Sequence, residues 1–157
     1  MADQGDSAAF PIDDIDKAII RLLQIDGRMA YAKLGPQVGL SSAAARQRVQ
    51  RLIEAGVIGV VAVSQPMKLG FNIQAMVGLR VDGDLREIAA ALAAIEEIVY
   101  VVVSSGRFDI ITEVVCRDSR QLMSIVNDTI RAMPGVTSTE TFTYLDIEKV
   151  SYSWGTG

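Results

Sequence analysis

Residues Tyr31 to Ile58 read YAKLGPQVGLSSAAARQRVQRLIEAGVI. A short helical stretch starting near Ala32, with Leu34 and Val38 as its inward pair, runs into Gly39, Leu40 and Ser41. Ser41 suits an N-cap, because its hydroxyl can accept a first-turn N–H that has no helical partner. In the longer helix that follows, Ala45, Val49 and Leu52 fall on one stripe at i, i+4 and i+7. Ser42, Ala43, Arg46, Gln47 and Gln50 then point outward, with Arg48 and Arg51 on the flanks. Gly56 is the expected stop. Gly35-Pro36 requires the first of these helices to be short, with Pro36 near its first turn, or else distorted, since proline is tolerated in the first turn and costs roughly 3 kcal/mol deeper in a helix. Two short helices joined by a tight glycine-containing turn form the helix-turn-helix pattern, whose second helix enters the DNA major groove.

Before this segment, Asp13 is a plausible N-cap, with Asp16 three residues on complementing the helix dipole. Ile15, Ile19 and Leu22 form an apolar stripe, and Asp26-Gly27 ends the helix. After it, the β-branched run Val57 to Val63 can form a wing-like strand, and Pro66, Lys68 and Gly70 mark a linker. The remainder alternates strands and helices. Strands are expected over 73–82, 98–103, 108–116 and 136–149, and helices over 84–94 and 119–132. The order βαββαβ is the ferredoxin-like split-βαβ motif. The fold class is therefore α+β: a winged helix-turn-helix domain followed by a ferredoxin-like domain. The boundaries are a disordered tail at 1–10, a helix-turn-helix domain at 11–58, a hinge at 59–71, the second domain at 72–150 and a C-terminal tail at 151–157.

Ferredoxin-like helices cover one face of an antiparallel sheet, and the other face is polar if it meets water. Ile98 to Val103 is apolar or aromatic throughout, so both faces are expected to be dry. A partner sheet from a second subunit would achieve this, and so would cover by the chain's own N-terminal domain.

Composition narrows the chemistry. Half of the 157 residues are hydrophobic and only 6% are aromatic, so the cores are aliphatic. The absence of histidine removes the commonest general base and metal ligand. With Cys116 the single cysteine, one chain offers neither a Cys/His zinc site nor a Ser-His or Cys-His nucleophile pair. Cys116 reads as a small buried hydrophobe, and Trp154 as either an anchor of the tail on a neighbour or part of a frayed end. No catalytic set, metal or cofactor is expected. With no signal-peptide pattern and no bilayer-length apolar run, the expected location is the cytoplasm, away from membranes.

The net charge of −4 is uneven. Residues 13–63 hold seven basic and five acidic side chains, whereas residues 72–150 hold seven and twelve. That asymmetry is consistent with two tasks, or with scattered solvated charge. In the basic segment, Arg46, Gln47 and Gln50 are the candidates for base edges, since Arg pairs with guanine and Gln with adenine. Ser41, Ser42, Arg48 and Arg51 are the candidates for phosphates. A solvated basic face is the plainer alternative.

Several segments together resemble the Lrp/AsnC (feast/famine) family of transcription regulators. They are Ile15-Asp16, Leu22-Leu23-Gln24, Asp26-Gly27-Arg28, Val38-Gly39-Leu40-Ser41, Arg46, Arg48-Val49, Arg51-Leu52, Ala55-Gly56-Val57-Ile58, Leu69-Gly70 and Gly106-Arg107-Phe108-Asp109. The chain departs from the family's pattern at Ala30, Gly35, Pro36, Ser42 and Ala45. The resemblance implies a DNA-binding regulator of double-stranded DNA, joined by a hinge to a ligand-sensing domain. It implies homodimers assembling into tetramers or octamers, and a small effector, usually an amino acid, near the Gly106–Asp109 loop. On that basis Ser104, Gly106, Arg107 and Asp109 become effector-site candidates, with Thr139 and Thr141 as weaker ones. Without it, the loop reads as a plain hairpin whose Gly106 supplies positive φ, and the threonines as ordinary strand formers. An architectural DNA-binding protein without an effector is a further alternative. A tetrapyrrole decarboxylase on the same frame would rely on histidines that this chain lacks.

Overall fold

A computed structural model describes residues 10–151. The expectations for the first nine residues of the N-terminal tail and for Trp154 lie outside the described residues. The chain divides into two compact units, one made of the chain up to Ala62 together with the segment from Lys149 onward, and one running from Val63 to Glu148.

In the first unit, α1 spans Asp14–Ile25, α2 Tyr31–Gln37 and α3 Ser42–Glu54. Asp13 caps α1 through a reciprocal box: its carboxylate accepts from Asp16 N at 2.8 Å, and Asp16 Oδ2 accepts from Asp13 N at 3.2 Å. Each bond satisfies an N–H that the helix itself cannot pair. Ile19, Ile20, Leu34, Ala45, Val49 and Leu52 form the core. Glycine at 35 permits the close turn after α2, because a Cβ there would lie 2.7 Å from Leu40 O and 3.0 Å from the Ser41 backbone. Pro36 sits inside α2, and the helix ends one residue later. Gly39 then turns the chain at φ +71°.

The run Val57 to Val63 forms no strand, so the expected wing is absent among the described residues. β-Propensity alone does not make a strand, which needs a neighbour for its N–H and C=O groups. The next ordered element is a 3-10 turn at Pro66–Leu69.

The second unit carries β1 (Ile73–Val81), α4 (Leu85–Ala93), β2 (Ile98–Val103), β3 (Ile110–Cys116), α5 (Ser119–Ser124) and β4 (Val136–Thr143). The sheet order is β2-β3-β1-β4, all antiparallel, as the split-βαβ motif requires. β1 is one residue shorter than expected, and β3 and β4 are shorter by more. Phe108 and Asp109 belong to the loop before β3, and β4 ends at Thr143, the partner of Ala75 in β1. The last helix leaves α geometry and continues as a π-helical turn over Ile125–Ile130. Val77, Leu79, Ile88, Leu92, Ile110, Val114 and Ile130 pack between sheet and helices. On the opposite sheet face, Met76, Tyr100 and Phe142 remain exposed in the single chain.

Candidate nucleic-acid interface and ligand loop

The outer surface of α3 follows from its inner one. Burying Ala45, Val49 and Leu52 forces Ser42, Arg46, Gln47 and Gln50 to the opposite side. Ser41 fixes the start of the helix, its Oγ accepting from Ala44 N at 3.2 Å. These outward residues line an open concavity of about 770 Å³ together with Tyr31, Ala43, Arg51 and Glu54. Arg46 forms no ion pair with any described residue. Gln50 donates to Glu54 Oε1 at 3.1 Å, which holds its amide in place. Tyr31 and Glu54 were not among the sequence candidates. The four-residue spacing of Gln50 and Glu54 is a signal that would have found the latter.

Arg48 and Arg51 do not take the posture expected of phosphate contacts. Arg48 Nη1 donates to Asp13 Oδ2 at 2.6 Å and to Asp16 Oδ1 at 2.9 Å. Arg51 Nη2 donates to Asp16 Oδ2, and its guanidinium stacks 5.3 Å from the Phe10 ring centroid. Asp16 is fully buried, and a carboxylate taken out of water needs cations around it. The Arg48 bond holds the Asp13 carboxyl below its ordinary range, and the two aspartates push Arg48 up, the Asp13 bond first. Both arginines therefore bind α3 to the start of α1.

The loop between β2 and β3 is closed by its own polar groups. Ser104 Oγ donates to Phe108 O at 2.9 Å and accepts from Gly106 N at 3.2 Å. Asp109 Oδ2 accepts from Val81 N at 2.9 Å. Arg107 pairs with Glu140 at 2.7 Å, lies over the Phe108 ring, and its carbonyl accepts from Arg80. Phe108 in turn meets Phe142 edge to face at 6.2 Å. Gly78 makes room for that ring, since a Cβ there would lie 2.5 Å from it. Gly106 does not adopt the positive φ expected of a hairpin glycine, and the Ser104 hydroxyl closes the turn instead.

Thr139 and Thr141 do not join this cluster. They pair with Leu79 and Val77, whose side chains enter the helix-covered core. Directly paired residues of antiparallel strands share a face, so the threonines face the helix side. Glu140 and Phe142, which alternate with them, meet Arg107 and Phe108 on the other face. The structure thus gathers Ser104, Gly106, Arg107 and Asp109 and leaves the threonines apart. Arg80, Glu140 and Phe142 complete the cluster. Sequence reasoning passed over them because only the register brings them beside the loop. No helix among the described residues is long and apolar enough to cross a membrane.

Residues 12–53 match the AsnC-type helix-turn-helix domain, and residues 71–157 match the C-terminal dimeric alpha+beta barrel domain of AsnC-type regulators. The chain is 33% identical over 149 residues to an uncharacterized HTH-type transcriptional regulator of Pyrococcus abyssi, with 94% of each chain covered. Among solved structures it resembles Escherichia coli AsnC at a TM-score of 0.83 and 27% identity, over 90% of this chain and 97% of that one. It also resembles the leucine response regulatory protein of Mycobacterium tuberculosis at a TM-score of 0.81 and 27% identity, over 92% and 99%.

Proposed function

This chain belongs to the AsnC/Lrp family of transcription regulators, and from that premise we propose that α3 reads a specific DNA site under the control of a small effector, an amino acid. It is a regulator, not an enzyme, and its helix-turn-helix is a DNA-binding domain. In this reading residues 11–58 bind DNA and residues 72–150 sense the effector and assemble.

The observation that carries the DNA reading is the exposed outward row of α3, whose Arg46 has no ion-pair partner among the described residues. Arg46 reaches guanine O6 and N7, while Gln47 and Gln50 reach adenine, Gln50 from an amide held by Glu54. Ser41 and Ser42, at the helix start, hold backbone phosphates and set the register.

The effector reading rests on the 104–109 loop. Arg107 is exposed and its Glu140 partner is replaceable, so an incoming α-carboxylate can exchange with Glu140. The second carboxylate oxygen of Asp109 can take an α-ammonium. The leucine response protein, 27% identical over nearly its whole length, supports an amino acid as the class. The effector acts only through unequal affinity for two assembly states. Homodimers form by covering the sheet face that carries Met76, Tyr100 and Phe142, and they assemble further into tetramers or octamers. The self-closed state of the loop favours one rival, an architectural DNA-binding protein with no effector.

A mobility-shift titration on the chain's own upstream region, with and without a panel of amino acids, tests both parts. Retarded bands that one amino acid alters are expected. Absence of binding at any salt removes the regulator reading, and binding that no amino acid alters leaves the architectural one.

A further inference from the structure

The second row of arginines on α3 carries a separate message. Arg46, Arg48 and Arg51 lie on one helix, yet only Arg46 is left without an acidic partner among the described residues. Both oxygens of the buried Asp16 are used, Oδ1 by Arg48, and Oδ2 by Arg51 and by Asp13 N. Asp13 adds a second carboxylate to Arg48. Arg51 still lines the same concavity as Arg46, Gln47 and Gln50, and about half of its side chain is exposed. A change of rotamer would bring its charge to a DNA backbone lying in that concavity.

We infer that Asp16 is a charge clamp: it withholds the guanidinium groups of Arg48 and Arg51 from DNA phosphates, which suppresses sequence-independent binding and leaves discrimination to Arg46, Gln47 and Gln50. Sequence-independent affinity comes from phosphate neutralisation and the counterions it releases. Each arginine withheld lowers affinity for every sequence alike, and base-edge contacts then decide where the protein stays. Asp16 is a positioning residue in this account and touches no DNA. The clamp rests on α3 being the DNA-binding helix, and the experiment separates failure of the one from failure of the other.

The test is the dependence of binding on salt, measured with the full chain on two probes, its own upstream region and a random-sequence duplex of equal length. Asp16→Asn keeps the shape of the side chain. Its amide oxygen can still accept from one guanidinium, but its NH2 opposes the other and expels it. The expected result is tighter binding to random DNA and a smaller ratio of specific to random affinity. The slope of log K against log salt should steepen by about 0.9 for each arginine released. Between 50 and 200 mM salt this is an extra loss of about 3.5-fold per arginine. An unchanged or shallower slope in a folded Asp16→Asn variant overturns the clamp.

Arg51→Gln supplies an arm that survives if Asp16→Asn fails to fold, because the glutamine amide can donate to Asp16 while Arg48 stays in place. A clamped Arg51 predicts an unchanged salt slope in this variant. A slope shallower by about 0.9 shows that Arg51 already holds a phosphate, and overturns the clamp. Failure of the unaltered protein to bind either probe overturns the DNA-binding reading of α3 itself.

Discussion

The outward face of α3 and the 104–109 loop are both polar clusters on exposed surface, and they are satisfied in opposite ways. On α3 the ion pairs are drawn to the flank facing α1, which leaves Arg46 without a counter-charge among the described residues. In the loop the carboxylate, the guanidinium and the hydroxyl all have partners from the same chain. A surface of the first kind can meet a large polyanion with little rearrangement. One of the second kind must give up an existing contact for each one it gains, which suits a small ligand that shifts an equilibrium.

The largest expected effect comes from the turn that builds the first surface. Gly35→Val places a branched side chain against the Leu40 and Ser41 backbone. The overpacking should cost the first unit about 3 kcal/mol. A differential melt should show that unit's transition falling by many degrees while the second unit's transition holds. An unchanged profile would mean that α2 and its turn can shift without consequence, so that the α3 face is not fixed by this packing.

Next comes the α3 face itself. Arg46→Ala removes a side chain with no ion-pair partner among the described residues, so melting should stay unchanged. Affinity for the specific site should drop about 10- to 100-fold, the equivalent of ~1–3 kcal/mol. Equal losses on specific and random DNA would reassign Arg46 to a phosphate, and the α3 face would then differ from the loop in charge and not in readout.

These two positions also show what could be read from residue order. The stripe Ala45, Val49 and Leu52 is a periodicity, and periodicity alone fixed which side of α3 faces out. The βαββαβ order followed in the same way from alternation and breakers. The pairing of Arg48 and Arg51 was not legible, because it joins residues 32 to 35 positions apart, and nothing local distinguishes a clamped arginine from a free one. The loop was legible as a turn, but Glu140 and Phe142 reach it only through the β1–β4 register. Thr139 and Thr141 were misplaced for the same reason, since a one-residue change in strand phase exchanges the two faces. The run Val57 to Val63 misled by composition: its residues suit a strand for which the described chain provides no neighbour.

A smaller effect is the acid response of the first unit. The folded-state pKa of Asp13 lies below its unfolded value, with the Arg48 bond as the leading cause. Such a carboxylate stabilises the fold above the ordinary carboxylate range, and the contribution disappears as pH falls through the depressed folded value. The melting temperature of this unit should therefore decline modestly on acidification below that range. Asp13→Asn should flatten part of the decline. Asp13 is exposed, so the change is small, and an identical pH profile in the variant would show that solvent screens the pair completely.

The smallest effect on stability is expected where the second cluster should be most responsive to ligand. Arg107 and Glu140 are both solvent-exposed, and pairs of this kind are worth about 0–1 kcal/mol. Arg107→Ala should therefore leave the second unit's melting temperature almost unaltered. The same substitution should abolish any stabilisation by an amino acid in a thermal-shift titration, because the carboxylate of the ligand loses its cation. Glu140→Gln should act in the opposite sense, raising the ligand's apparent affinity by freeing Arg107 from its competitor. If both variants bound the amino acid as the unaltered protein does, Arg107 would be only a strut on the Phe108 ring, and the exchange of partners would have to occur elsewhere in the loop.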